Sequence, residues 1–212
     1  MHNYLFLFLV FGLFSSCGET TNNNNVDKVN DATEVAKQVD NSSANQFWQS
    51  LTSLDGKTFE GKLVKAPENN DFEGKKMVMH VLYSDDEKIL IPFNVGENLS
   101  RTWIFERQQD KIQLKHDHRK PNGESDEITM YGGVSTNQGL PSMQIFPADQ
   151  ETFSLLPGAF SNVWWVKIDD TKFSYNLSRI GAGTLFTIEF DLTNEIEKPT
   201  PSWGWEDFQK EQ

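Results

Sequence analysis

From residue 58 to residue 192 the chain is a succession of short runs in which apolar and polar side chains alternate. Alternation at a period of two marks a strand with one face buried. The runs are 58–65, 76–83, 88–94, 101–107, 111–118, 127–131, 142–146, 151–155, 163–168, 172–180 and 184–192. Between them stand Pro67-Glu68-Asn69-Asn70, Asp85-Asp86, Gly96-Glu97-Asn98, Asn137-Gln138-Gly139, Asp169-Asp170 and Gly181-Ala182-Gly183, all good turn formers. Most links are too short to hold a crossover helix, so consecutive strands must run antiparallel. No long helical pattern interrupts them, which argues against a βαβ fold. The fold class predicted is all-β: an antiparallel meander β-barrel of about eight to ten strands. One short helix precedes it. Phe47, Trp48, Leu51 and Leu54 have helical spacing, and Asp55-Gly56 ends the run.

The alternation also assigns faces. Phe59, Gly61 and Leu63 share one, and Trp103 and Phe105 share another in line with Arg101 and Arg107. Trp164, Val166 and Ile168 belong together, as do Phe173, Tyr175, Leu177 and Arg179, and Phe186, Ile188, Phe190 and Leu192. All six tryptophans lie beyond residue 46, enough for a single aromatic-rich core.

The segment from Asp110 to Gly133 carries the most unusual pattern. It reads as a β-hairpin turned at Pro121-Asn122-Gly123. Its first arm places Ile112, Leu114, His116 and His118 on one face, so an apolar stripe ends in two histidines. In its second arm Ile128 and Met130 oppose Glu127, Thr129 and Tyr131. Titratable groups in line with a core-facing row call for an explanation. Two imidazoles at i and i+2 on a strand have the geometry to share a metal ion, but the sequence supplies no clear third ligand. Histidines bonded to carboxylates or backbone at the barrel rim, or to a ligand at a cavity mouth, are the other readings.

The chain carries a net charge of −12 with a pI near 4.7. Such a balance repels phosphate, so nucleic acid is not an expected partner. It also works against electrostatic docking on an anionic bilayer. The single cysteine, Cys17, forbids an intrachain disulfide and any CxxC metal site.

That cysteine follows an uncharged segment, residues 1–16, whose apolar stretch from Leu5 to Phe14 is too short to span a bilayer. Leu13-Phe14-Ser15-Ser16-Cys17-Gly18 resembles the signal of bacterial lipoproteins. The resemblance implies cleavage after Ser16, a diacylglyceryl group on Cys17, and a membrane partner held through that lipid. Gly18 in place of Asp favours the outer membrane, on its periplasmic side or at the cell surface. Residues 17–45, with Asn22-Asn23-Asn24-Asn25 and no aromatic side chain, read as a disordered tether, and residues 46–212 as the barrel domain.

A short helix followed by an antiparallel meander resembles the lipocalin-type barrels. Those carry Gly-x-Trp on the first strand; here Gly56 and Phe59 stand there and Trp48 lies upstream. They also place a basic residue near the last strand, over the helix, a role the resemblance gives to Arg179. It implies a ligand cavity inside the barrel.

The function expected is binding of a small, partly apolar ligand in an aromatic-lined cavity. His116, His118, Arg179, Arg101, Tyr175 and Trp103 are the candidate contacts. The rival readings are a metal binder or metal-dependent enzyme at His116 and His118, and an envelope interaction module without a ligand. Nothing names a cofactor. There is no Gly-x-Ser-x-Gly, and Cys17 is committed to lipid, so a catalytic nucleophile is not in evidence among the motifs.

Overall fold

The computed structural model describes residues 40–181 and 184–208. The expected signal, Cys17 and the expected tether up to residue 39 lie outside the described residues. The first element is α1 (Ser43–Thr52), whose N-cap Ser42 accepts from the Asn45 amide. It begins ahead of Gln46, the boundary drawn from composition.

Eleven strands follow among the described residues: β1 (Thr58–Lys65), β2 (Met77–His80), β3 (Tyr83–Ser84), β4 (Lys88–Val95), β5 (Asn98–Gln108), β6 (Lys111–His118), β7 (Tyr131–Val134), β8 (Met143–Pro147), β9 (Asn162–Ile168), β10 (Lys172–Arg179) and β11 (Thr184–Glu195). Every pairing is antiparallel, in the order β7-β6-β5-β4-β2-β1-β11-β10-β9-β8, with β3 a two-residue spur on β4. The first and last strands pair, so the meander curls into a nearly closed antiparallel barrel, as the alternation predicts. Among the described residues no helix is long and apolar enough to cross a membrane.

The remaining seam lies between β7 and β8, and two glycines make it. A Cβ on Gly133 would run into the Pro147 carbonyl, and one on Gly132 into the Leu114 carbonyl. Only a chain without side chains here lets β7 sit between its neighbours. The seam is then tied by Asp149 N–H donating to Gly132 O at 3.0 Å. The Thr152 hydroxyl accepts from Gly132 N–H at 2.7 Å and donates to Gly132 O at 2.8 Å. Gly132-Gly133, which suggests a turn in sequence, is therefore part of a strand.

Two expected strands are not strands. Residues 151–155 lie in α2 (Gln150–Leu155), because Asp149 caps the Thr152 amide at 2.8 Å and starts a helix that Leu156-Pro157 ends. Phe153 and Leu155, which alternate like buried residues, are exposed. Residues 127–130 belong to a loop from 119 to 130, and β7 starts at Tyr131. Met130 at φ 59° breaks the strand, and Ile128 and Met130 face solvent. Gly123, at φ 82°, turns the chain inside that loop, flanked by the Arg119–Ser125 bridge, and β6 and β7 pair as the two arms of the expected hairpin, with the second arm starting later than expected.

The core fills the barrel with Phe59, Met79, Ile91, Phe105, Val166, Phe173, Ile188 and Phe190, and α1 closes one end with Phe47, Trp48 and Leu51. Arg107 of β5 lies over the Trp48 ring at 4.7 Å and donates to Asn45 Oδ1 at 2.7 Å. The basic residue over the helix is thus Arg107, not Arg179. Arg179 ends β10, which runs antiparallel to β5, and so stands at the opposite end of the barrel. The C-terminal segment packs back on the outer wall. Ser202 bonds Asn94, Trp203 N–H donates to Leu99 O, and Arg119 lies over Trp205 at 4.4 Å.

Candidate functional site

At the end away from α1 the side chains stop filling the barrel. A cavity of about 550 Å³ lies there, and exposed Pro67, Gly158 and Arg179 on its rim open it to solvent. A space of this size suits a small organic ligand. The alternation that puts Trp103, His116 and Tyr175 on inward faces of β5, β6 and β10 points them into one space from facing walls. Trp103 and His116 are register partners across the β5–β6 ladder, as are Arg101 and His118. The six candidate contacts, His116, His118, Arg179, Arg101, Tyr175 and Trp103, all line this one cavity.

The wall is aromatic. Trp103 stacks on Phe93 at 4.6 Å and on Tyr175 at 4.5 Å, nearly parallel to both. His116 stacks on Tyr131 at 4.7 Å and lies 5.1 Å from Trp164. Offset and stacked contacts of this kind add about 0.5–1.5 kcal/mol each beyond area burial.

Set into that wall is a chain of polar groups. His116 Nδ1 lies 2.9 Å from the Tyr131 carbonyl, which can only accept, so Nδ1 carries the proton. Nε2 then accepts from the Tyr175 hydroxyl at 2.7 Å. The Tyr131 hydroxyl lies 3.0 Å from His118 Nε2. Burial pushes His116 down to about 3 and His118 down to about 4, the latter with help from the Arg101 charge. Both rings are neutral at pH 7. Burial also pushes Tyr131 up to about 12 and raises Tyr175 well above its ordinary value, so both hydroxyls keep their protons.

Arg101 stands apart from this chain. Its guanidinium lies over the Phe72 ring at 5.3 Å, and its Nη1 is buried without a hydrogen-bond partner among the described residues. Desolvation lowers its affinity for its proton, offset in part by the field of Asp71. Arg179, more exposed, donates from Nε to Asn162 Oδ1 at 2.8 Å. Among the described residues lining the cavity none is Asp or Glu.

No family model and no curated protein matches this chain. Among solved structures it is similar to a crystal structure of a point mutant of the fluorescent protein UnaG, at 9% identity and a TM-score of 0.26. The match covers 68% of this chain and 86% of that one, and it is too slight to transfer a ligand or a residue's role.

The histidine pair does not make a metal centre on its own. Among the described residues no group of three or more His, Cys, Asp or Glu is placed to hold an ion. Both nitrogens of His116 are bonded to protein, so a metal would have to displace Tyr175.

Several lining residues had no signal in the sequence. Phe72 sits in an irregular loop without alternation. Tyr131 follows a false strand, which reversed its face. Lys115 and Asp117, on the outer face of β6, are also buried, against the expected solvent exposure of that face. Lys115 Nζ bonds Asp149 at 2.7 Å and Glu151 at 2.6 Å. Asp117 accepts from Arg119 at 2.7 Å and from Thr129 at 3.1 Å. The loop 119–130 and α2 cover that face.

Proposed function

We propose that this protein binds a small, partly apolar molecule inside the barrel and that it does so while tethered to a bacterial outer membrane through a lipid on Cys17. The observation that carries the first half is the cavity of about 550 Å³, walled by Phe93, Trp103, Tyr175 and Trp164 and reaching solvent at its rim. A protein filling its interior for stability alone has no use for such a space, since incomplete packing costs stability in proportion to the volume left. His116, His118 and Arg179 are the polar contacts that orient the molecule against the aromatic wall.

The test uses N-phenyl-1-naphthylamine, a neutral dye that brightens in apolar sites, with the purified protein. Saturable binding at one site is expected, and Leu177→Trp, which projects an indole into the cavity, is expected to weaken it tenfold or more. Absence of saturable binding, or binding indifferent to Leu177→Trp, counts against the reading.

The anchor rests on the resemblance of residues 5–18 to lipoprotein signals. Two or three acyl chains, at about 0.8 kcal/mol per buried methylene, hold a protein on a bilayer durably. Cys17→Ala is expected to move the protein from the membrane to the soluble fraction. Continued membrane fractionation of that variant means the anchor lies elsewhere.

A further inference from the structure

We infer that the cavity is built for a ligand with an oxyanion head, a carboxylate or a sulfonate, and that Arg101 with the Tyr131 hydroxyl is the subsite that holds it. This rests on the ligand-binding role proposed for the cavity and adds the chemistry of one end of the ligand.

Three observations converge on it. First, among the described residues Arg101 makes no ion pair, and Asp71 acts on it only through its field. The ion pairs of the described residues do not include it, and its buried Nη1 has no hydrogen-bond partner among them. A guanidinium in this position costs stability unless something compensates it. Arg107 and Arg119 show how the same fold treats an arginine it uses for structure. Arg107 bonds Asn45 and the Asp86 carbonyl and lies over Trp48, and Arg119 bonds Asp117 and lies over Trp205. Second, the local charge is the reverse of the whole. The chain is net −12, yet its cavity is lined by two arginines, two neutral histidines and, among the described residues, no acid. Third, the neighbours of Arg101 include a donor. His118 faces it across the ladder, and with that neutral ring as its Nε2–H tautomer the Tyr131 hydroxyl accepts from it and keeps its own proton free to donate beside Arg101. A planar guanidinium beside a hydroxyl donor matches the two oxygens of a carboxylate or sulfonate. The Phe72 ring covers one face of the guanidinium.

The experiment compares two dyes with one skeleton: N-phenyl-1-naphthylamine, which is neutral, and 1-anilinonaphthalene-8-sulfonate, which adds an oxyanion. The full-length protein is expected to favour the sulfonate. Arg101→Met is expected to reduce the ratio of sulfonate to neutral affinity about thirtyfold or more, the scale on which truncating a buried charge pair weakens binding. Lys88→Met, which removes the same charge at the α1 end, is expected to change that ratio less than twofold. The thermal midpoint separates a binding role from a structural one. Replacing an unpaired buried charge by an apolar side chain of similar length leaves stability equal or higher, so Arg101→Met is expected to melt no lower than the parent. A lower midpoint with an unchanged ratio makes Arg101 structural and overturns the inference. If Arg101→Met does not fold, Arg101→Lys is expected to keep the preference and Arg101→Gln to lose it; equal ratios in those two overturn the inference. Neutral dye binding without any preference for the sulfonate overturns it and leaves the cavity reading standing. Binding of neither dye removes both.

Discussion

Tyr175 on β10 donates its hydroxyl to Nε2 of His116 on β6, 2.7 Å away across the barrel interior. The two strands are not neighbours in the sheet, so this bond ties opposite walls beside the cavity. With Nδ1–H given to the Tyr131 carbonyl, the neutral imidazole has both nitrogens satisfied. A second proton on Nε2 would turn the Tyr175 hydroxyl from donor to acceptor and place a charge where burial opposes it.

That preference makes stability depend on pH. Burial pushes His116 to about 3 and His118 to about 4, whereas in the unfolded chain both titrate near 6.5. Below pH 6.5 the unfolded chain takes up protons that the folded chain refuses, so stability falls as the pH falls. The loss continues until each folded ring protonates, at a slope of up to about 1.4 kcal/mol per pH unit for each. Carboxylates titrate lower, so denaturant unfolding between pH 6.5 and 5 isolates the histidines. His118→Gln is expected to reduce the slope by the share of that ring. An unchanged stability across that interval would mean the folded rings are charged.

Tyr175→Phe removes the hydroxyl without changing the ring stack on Trp103. It is expected to cost about 1–2 kcal/mol in chemical denaturation, the net value of a buried hydrogen bond plus the acceptor left unpaired. A change below about 0.3 kcal/mol would show that Nε2 finds a substitute partner, water in the cavity being the obvious one.

The β7–β8 seam predicts a sharp contrast among glycines. Gly133→Ala drives a methyl into the Pro147 carbonyl, a backbone atom that cannot turn aside. It is expected to cost about 3 kcal/mol or more, or to leave the barrel open and aggregation-prone. Gly158→Ala meets nothing within 4 Å and is expected to be neutral or slightly stabilising. Urea midpoints of the two variants measure the difference.

Asp149 serves two groups at once, capping α2 and pairing with Lys115, which is buried at 4% exposure. Asp149→Ala is expected to cost about 2–4 kcal/mol in urea unfolding, as the missing cap adds to a buried ammonium left with one partner. Glu151, the other partner, has an 80% exposed side chain, and Glu151→Gln is expected to cost less than about 1 kcal/mol. Equal costs for the two would show that neither the cap nor the deeper position of Asp149 sets it apart.

Much of the barrel was legible because strand periodicity is local. The 58–65 and 111–118 runs coincide with β1 and β6, and the inward faces of β5, β6 and β10 follow from their own alternation. Where alternation misled, a capping or backbone preference had overridden it. Asp149 and Thr152 turned an alternating segment into α2, and the positive φ of Met130 kept 127–130 out of the sheet. Neither signal is visible from hydrophobic spacing alone.

The order of apolar and polar residues along this chain determined by itself that it forms antiparallel strands, and that Arg101, Trp103, His116, His118 and Tyr175 point inward. A strand's two faces are set by its own pleat, whatever it pairs with. Only the tertiary structure decided which of those residues meet. The curl of the sheet carries Tyr175 to His116, puts Arg107 rather than Arg179 over Trp48, brings Tyr131 and Phe72 to the cavity, and leaves Arg101 Nη1 without a hydrogen-bond partner among the described residues. These outcomes depend on contacts between segments far apart in the chain, on which end the helix closes and on where side chains run out before the interior is full. No local pattern encodes them, because each is a property of the closed barrel and of no single strand.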